Sequence, residues 1–166
     1  MSDKYGDRTY HEPTPAERDT MLAVLAEHSR LERIADLTGA MATMTDDCYQ
    51  EHESIGLRCV GQRDVTKYYQ QCLFEPFPDW FATFRGMAVA KDTIVVWCSF
   101  QGTMTGPWMG IPATGRPFSY PLTVVLKFRG DKMVGESQYY DVATVCEQMG
   151  IDRQDLLAAA KQFSSR

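Results

Sequence analysis

Four consecutive strand-like segments in the second half of the chain constrain its fold more than any other sequence feature. They span residues 80–89, 93–103, 118–128 and 133–140, and they contain many of the aromatic and β-branched residues that favour strands. Short turn sequences separate the first pair and the last pair, whereas a longer loop rich in glycine and proline separates the second segment from the third. This order predicts a strongly curved antiparallel sheet.

The first half of the chain carries helical patterns. Thr14 and Glu17 have the spacing of a capping box. The apolar residues that follow at intervals of three to four predict an amphipathic helical stretch, as two helices bent near residues 28–30, that ends by Gly39. A short strand is expected over 46–52 and a second helix over 62–74. Helices in this half would cover one face of the sheet. The sequence therefore predicts an α+β fold with an apolar cavity between the two layers.

The chain of 166 residues has the length of one domain, which we expect over 14–166 after a flexible polar tail over 1–13. A formal net charge of -5 argues against binding to nucleic acid or to an anionic membrane surface. No apolar run approaches the ~20 residues of a membrane span, and the first residues lack the apolar core of a signal peptide. We therefore expect a cytoplasmic protein.

The cysteines and histidines give no sign of a metal site. The five cysteines are dispersed without a CxxC motif, which is typical of reduced, buried thiols. The three histidines, His11, His28 and His52, show no HExxH or other paired spacing. His28 lies on the apolar stripe of the first helix, which favours a structural role. We expect neither a metal nor another cofactor.

The end of the last predicted strand is the strongest candidate for chemistry. Strand alternation places Ser137, Tyr139 and Asp141 on one face. Asp141 can cap the helix that follows, can act as a desolvated acid/base, or can do both because a carboxylate has two oxygens. In an apolar pocket its pKa would rise above the usual value of about 3.9, which would suit it to take up and return a proton.

Four segments in order resemble the SnoaL-like polyketide cyclase (ester cyclase) family of the nuclear-transport-factor-2-like superfamily. Together they extend from about Ala16 to Ile151. They are Gly61-Gln-Arg-Asp-Val-Thr-Lys-Tyr-Tyr69, Phe77-Pro78-Asp79, Gly102-Thr-Met-Thr-Gly-Pro-Trp-Met-Gly-Ile-Pro-Ala-Thr-Gly115, and the stretch from Lys132 through Asp141 to Gly150.

The resemblance implies a cone-shaped barrel that is closed on one side by helices and holds one deep apolar pocket. Cyclases of this family close a ring by an intramolecular aldol reaction without metal or nucleotide, and their acid/base aspartate corresponds to Asp141. The superfamily also contains dehydratases, isomerases and binding modules, so these alternatives stay open. Met104 stands where many relatives have histidine. Gly135 and Ser137 replace larger residues on the pocket face, which suggests a roomier pocket.

The remaining site predictions concern hydrogen-bond donors and the residues that line the pocket. Tyr139 and His52 are candidate donors to a developing oxyanion, although an exposed strand-end histidine is an equally simple interpretation of His52. One parity of the second strand must face the pocket, and we choose Trp97, Ser99 and Gln101 rather than Cys98 and Phe100. The expected substrate-binding residues are Trp80, Trp97, Ser99, Gln101, Phe74, Phe77, Met104 and Ser137.

These patterns predict a cofactor-independent acid/base enzyme that acts on a small, largely apolar carbonyl compound, with a non-catalytic small-molecule binding module as the rival. They also predict a homodimer. The segments 93–100 and 122–128 carry apolar residues at both parities, so the sheet face turned away from the pocket would expose an apolar patch. Two-fold pairing of sheet against sheet would cover it.

Overall fold

The computed structural model describes residues 11–164 of the chain. Helix α1 (Pro15–Arg33) begins at the predicted capping box, in which the Thr14 hydroxyl accepts from the Glu17 amide and the Glu17 carboxylate accepts from the Thr14 amide at 2.8 Å. The predicted bend near residues 28–30 is wrong, because α1 runs without a break to Arg33. The chain leaves the helix at Ala35, where φ is 54°. Asp36 then caps the short helix α2 (Leu37–Ala42).

Six strands form one sheet in the order β2-β1-β6-β5-β4-β3. Neighbouring strands are antiparallel except β1 and β6, which pair in parallel. The predicted α+β class with a curved, helix-covered sheet is confirmed. The strands are β1 (Met44–His52), β2 (Leu57–Val60), β3 (Phe81–Ala90), β4 (Thr93–Thr103), β5 (Pro117–Arg129) and β6 (Lys132–Tyr139).

The helices lie on the concave face of the sheet and at its ends. Helix α3 (Gln62–Tyr68) runs directly into a π-helical turn, Tyr69–Phe74. Two adjacent tyrosines at this junction, Tyr68 and Tyr69, are both buried and pack edge to face with ring centroids 5.6 Å apart. Helices α4 (Val142–Met149) and α5 (Arg153–Phe163) follow the last strand. Two phenol groups thus meet in the core where α3 passes into the π-helical turn.

A bulge bends the edge strand β3. Its pairing with β4 shifts register between Phe84 and Gly86, and the Trp97 indole covers Gly86 so closely that an added Cβ would stand 2.7 Å from the ring. Bulges and glycines of this kind increase the twist of a sheet. Both features curl the sheet around the space beneath the helices.

All five cysteines are free and buried, as predicted. Within residues 11–164, no helix combines the length and the apolar character that crossing a membrane requires. Most of the predicted flexible tail, residues 1–10, lies outside the described part of the chain.

Candidate active site

A cavity of about 510 Å³ lies between the concave face of the sheet and the helices. One wall is aromatic. Phe77 belongs to this wall, and its ring lies 5.5 Å from Trp108 and 6.3 Å from Phe100, measured between centroids, in edge-to-face geometry. Trp80 and Phe100 extend it. A cavity of this size and character suits a small, mostly apolar ligand.

Only some of the aromatic and apolar residues predicted to line the cavity do so. Phe77 and Trp80 line the cavity, as expected. Phe74 instead stacks on Tyr69 at a centroid distance of 6.1 Å, and Met104 is fully buried in the hydrophobic core.

The predicted parity of β4 is wrong. Val96, Cys98 and Phe100 line the cavity, so the alternating Trp97, Ser99 and Gln101 belong to the opposite face. Trp97 covers Gly86 there and keeps 42% of its surface exposed. The Gln101 amide donates to the Thr83 hydroxyl at 2.9 Å.

The predicted parity of β6 is also wrong. Glu136 and Gln138 line the cavity. Ser137 is on the outer face, where its hydroxyl donates to the Glu51 carboxylate at 2.8 Å, and Tyr139 is 44% exposed. The cavity therefore gains a carboxylate that the sequence analysis did not assign to it.

Asp141 is a helix cap outside the cavity. Its carboxylate accepts from the Ala143 amide at 3.0 Å, from the Thr144 amide at 3.3 Å and from the Thr144 hydroxyl at 2.6 Å. The Thr144 hydroxyl and the Ala143 amide hold the pKa of this exposed carboxyl below its ordinary value. The expected desolvated acid at this position is wrong, and the capping alternative is correct.

Glu32 and Glu136 form one polar side of the cavity, and both lie close to the buried His28. The His28 Nε2 lies 3.2 Å from a Glu32 oxygen, 3.9 Å from a Glu136 oxygen and 2.9 Å from the Tyr69 hydroxyl. On the other side of the ring, Nδ1 is 2.6 Å from the Thr43 hydroxyl, which itself donates to the Ala40 carbonyl. The Thr43 hydroxyl has already donated its hydrogen, so its oxygen must accept a hydrogen bond from His28, and Nδ1 therefore carries a proton.

The charged groups in this cluster shift one another's pKa values. Burial raises the pKa of Glu136 to about 7, and the nearby Glu32 carboxylate adds to the effect, whereas His28 opposes it. Burial by itself disfavours the charged form of His28, but the Glu32 and Glu136 carboxylates outweigh it and raise the pKa of His28 to about 9. At neutral pH His28 is a buried cation beside a carboxyl that is poised to exchange its proton.

The ligand-type atoms of His28, Glu32 and Glu136 lie within 4.8 Å of one another, a spacing that could hold a metal ion. A metal bound there would have to displace the proton that His28 Nε2 shares with the two carboxylates. Without a metal, the same three groups form an ion-pair network.

His52 lies at a second polar side of the cavity, as one of the two interpretations predicted. Its Nε2 is 2.6 Å from the Tyr68 hydroxyl and its Nδ1 is 2.9 Å from the Tyr140 hydroxyl. The Gln138 amide donates to the same Tyr68 hydroxyl at 3.1 Å. Burial lowers the pKa of His52 to about 3, so the ring is neutral at pH 7.

Sequence reasoning missed Glu136, Glu32 and the charged state of His28. One signal was present, because His28 and Glu32 are four residues apart and so share a helix face. A glutamate near an apolar stripe is usually solvated, so this spacing alone did not distinguish an ion pair inside a cavity from an exposed helix edge.

The architecture is shared with several solved structures. Solved structures with the same architecture include a protein of ketosteroid isomerase-like fold from Catenulispora acidiphila, with 15% identity, TM-score 0.63, and coverage of 78% of this chain and 93% of that chain. A proposed SnoaL-like polyketide cyclase from Jannaschia sp. CCS1 has 19% identity and TM-score 0.70, with 86% and 99% covered. IdmH, a proposed polyketide cyclase from Streptomyces antibioticus, has 21% identity and TM-score 0.62, with 78% and 97% covered. The protein therefore has the ketosteroid isomerase-like fold.

The chain belongs to the SnoaL-like polyketide cyclase family, whose model matches residues 28–149. The matched segment contains both polar sides of the cavity. No curated protein is similar to the chain at a significant level.

Proposed function

We propose that this protein is a cofactor-independent acid/base enzyme that acts on a small, largely apolar, polyketide-like carbonyl compound, and that the reaction is an aldol-type ring closure. The observation that carries the proposal is a buried carboxyl, Glu136, on the wall of an aromatic cavity with its pKa raised to about 7. A general base works best when its pKa lies near the working pH. Membership of a family named for polyketide cyclases supports the substrate class.

The proposed reaction needs one proton to move twice. The Glu136 carboxylate takes a proton from a carbon next to a carbonyl group, and the resulting enolate carbon attacks a second carbonyl of the same molecule. A carbon–carbon bond forms, and the new alkoxide takes the proton back from the carboxylic acid. The charged His28 stabilises the carboxylate before the first transfer, and the aromatic wall excludes water from the enolate. Dehydration and isomerisation on the same carboxyl share the first step.

That first step predicts a pH profile. We expect the wild-type protein to exchange the α-protons of 2-tetralone, a small apolar ketone, for deuterium in D2O. Because the base must be ionised, kcat/KM for exchange should rise with pH and level off above an apparent pKa near 7. Proton NMR over a range of pH measures the rate. Exchange no faster than in buffer alone would contradict the proposal and favour a binding module.

We further propose that the protein is a homodimer that pairs through the outer face of the sheet. Trp97, Thr123 and Tyr139 are cross-strand partners in one row of this face, and Trp97 and Tyr139 are 42% and 44% exposed. Exposed aromatic residues in a row are typical of protein interfaces.

Light scattering should therefore give a mass of about twice the 18.8 kDa of one chain. Tyr139→Glu should shift the mass toward that of the monomer, because it buries a charge in the interface. Gln154→Glu, which adds the same charge on the exposed side of α5, is the control. A wild-type mass of 18.8 kDa at micromolar concentration would show that the face needs no partner.

A further inference from the structure

We propose that the Tyr68 hydroxyl is the hydrogen-bond donor that holds the substrate's carbonyl oxygen, and that the tautomer of His52 decides whether this hydroxyl is free to donate. Tyr68 thereby becomes a further catalytic residue, while His52 and Tyr140 are positioning residues that act through it. The inference rests on the proposed function and names the group of the substrate that the cavity recognises, a ketone or enolate oxygen.

The contacts converge on one oxygen atom. The Tyr68 hydroxyl meets the Gln138 amide at 3.1 Å and the His52 Nε2 at 2.6 Å. Tyr68, His52 and Gln138 all line the cavity, whereas Tyr140 lies on the far side of the His52 ring, with its hydroxyl 2.9 Å from Nδ1. Tyr68 therefore belongs to the cavity wall, and its hydroxyl joins two other polar residues of the same wall.

A count of hydrogens gives this chain of groups two states. The amide nitrogen of Gln138 can only donate, and neutral His52 carries one N–H. In the first state the proton is on Nδ1 and is donated to Tyr140, so Tyr68 donates to Nε2. In the second state the proton is on Nε2 and is donated to Tyr68, so Tyr140 donates to Nδ1.

Each state leaves one hydroxyl hydrogen without an acceptor among the described residues. In the first state it belongs to Tyr140, behind the imidazole ring. In the second it belongs to Tyr68, at the cavity wall, and the Tyr68 oxygen then accepts from both Gln138 and His52. Hydrogen bonds accepted by a hydroxyl strengthen the bond that it donates.

A ligand oxygen that can only accept a hydrogen bond therefore favours the second state. A ketone would be held through its oxygen, and the enolate formed from it would be held more strongly because it carries charge. A hydrocarbon of the same shape has no hydrogen-bond acceptor, so its binding does not change the relative populations of the two states.

Binding of 2-tetralone and of tetralin, the hydrocarbon with the same ring skeleton, tests the inference without any turnover. We expect wild-type protein to bind the ketone about five- to tenfold more tightly than the hydrocarbon, and Tyr68→Phe to reduce that ratio to about one. Tyr120→Phe is the matched control, because it removes a hydroxyl from the same cavity that is not bonded to His52 or Gln138. A ratio in Tyr68→Phe equal to that of the wild type would overturn the proposal.

The second readout uses wild-type protein alone and so stands even if Tyr68→Phe does not fold. Nitrogen NMR distinguishes the two histidine tautomers, and the chain has only three histidines to assign. The Nε2–H fraction of His52 should rise on addition of 2-tetralone and stay constant with tetralin. An Nε2–H fraction of His52 that is the same with 2-tetralone and with tetralin would refute the proposed change of tautomer. Because neither readout involves proton exchange, failure of Glu136 as the base and failure of Tyr68 as the donor give different results.

Discussion

Glu136→Gln is expected to slow α-proton exchange of 2-tetralone by at least about 100-fold, the lower end of what a positioned general base contributes. The amide has nearly the same shape as the carboxyl but cannot take up a proton. Stability should be maintained, because the pKa of Glu136 is raised in the folded protein. The stabilisation linked to its protonation is complete below pH 4.5 and is lost as the pH rises through about 7. Above that pH, thermal melting should find the variant no less stable than the wild type.

Asp141→Asn is the matched control for this experiment. It also exchanges a carboxylate for an amide, at the exposed start of α4, and asparagine caps helices as well as aspartate does. Exchange in this variant should stay close to the wild-type rate. Loss of exchange in Asp141→Asn with exchange preserved in Glu136→Gln would return the acid/base role to the end of the last strand.

His28→Gln is expected to have the largest effect on stability, a loss of about 3–5 kcal/mol, as when one partner of a buried ion pair is removed. The variant leaves Glu32 and Glu136 facing each other without the imidazolium. Removal of the imidazolium should also move the midpoint of the pH profile for α-proton exchange above pH 7, because His28 opposes the rise in the pKa of Glu136. Denaturant unfolding and the pH profile measure the two effects.

The difference in stability should itself depend on pH. Since the pKa of His28 is raised from 6.5 to about 9, its stabilising contribution is complete below pH 6.5 and disappears as the pH rises through about 9. Arg30→Gln breaks the exposed Arg30–Glu27 pair on the same helix and should scarcely change stability. A destabilisation by His28→Gln that is equal at pH 6.5 and above pH 9 would contradict a charged His28.

Local patterns predicted most of the fold because each rests on a short-range cause. The capping box of Thr14 and Glu17 fixes the start of α1, and the turn residues place β3 to β6 within a few positions. The four-residue strand β2 was missed, and so was the parallel pairing of β1 with β6. Both depend on contacts between distant segments, which no local spacing reveals.

The site was harder to predict because it depends on which face of each strand points inward. In β4 the positions in phase with Cys98 are apolar from 94 to 100, whereas those in phase with Trp97 include Ser99 and Gln101, so alternation favoured the correct face and the prediction chose the other. The decisive contact is the Trp97 indole on Gly86, across a bulge in β3. In β6 the prediction placed the face of Asp141 in the pocket because a carboxylate stands at the strand end. The residues that line the cavity are Glu136 and Gln138, on the other face.

The central claim is that Glu136 is a carboxyl poised near neutral pH inside the cavity, and its titration tests that claim most directly. Carbon NMR of protein labelled at the glutamate carboxyl groups, with the Glu136→Gln spectrum used to assign the signal, follows this single group as the pH changes. The account predicts a midpoint near 7. A midpoint near the ordinary glutamate value of about 4.3 would show a solvated carboxylate and contradict it.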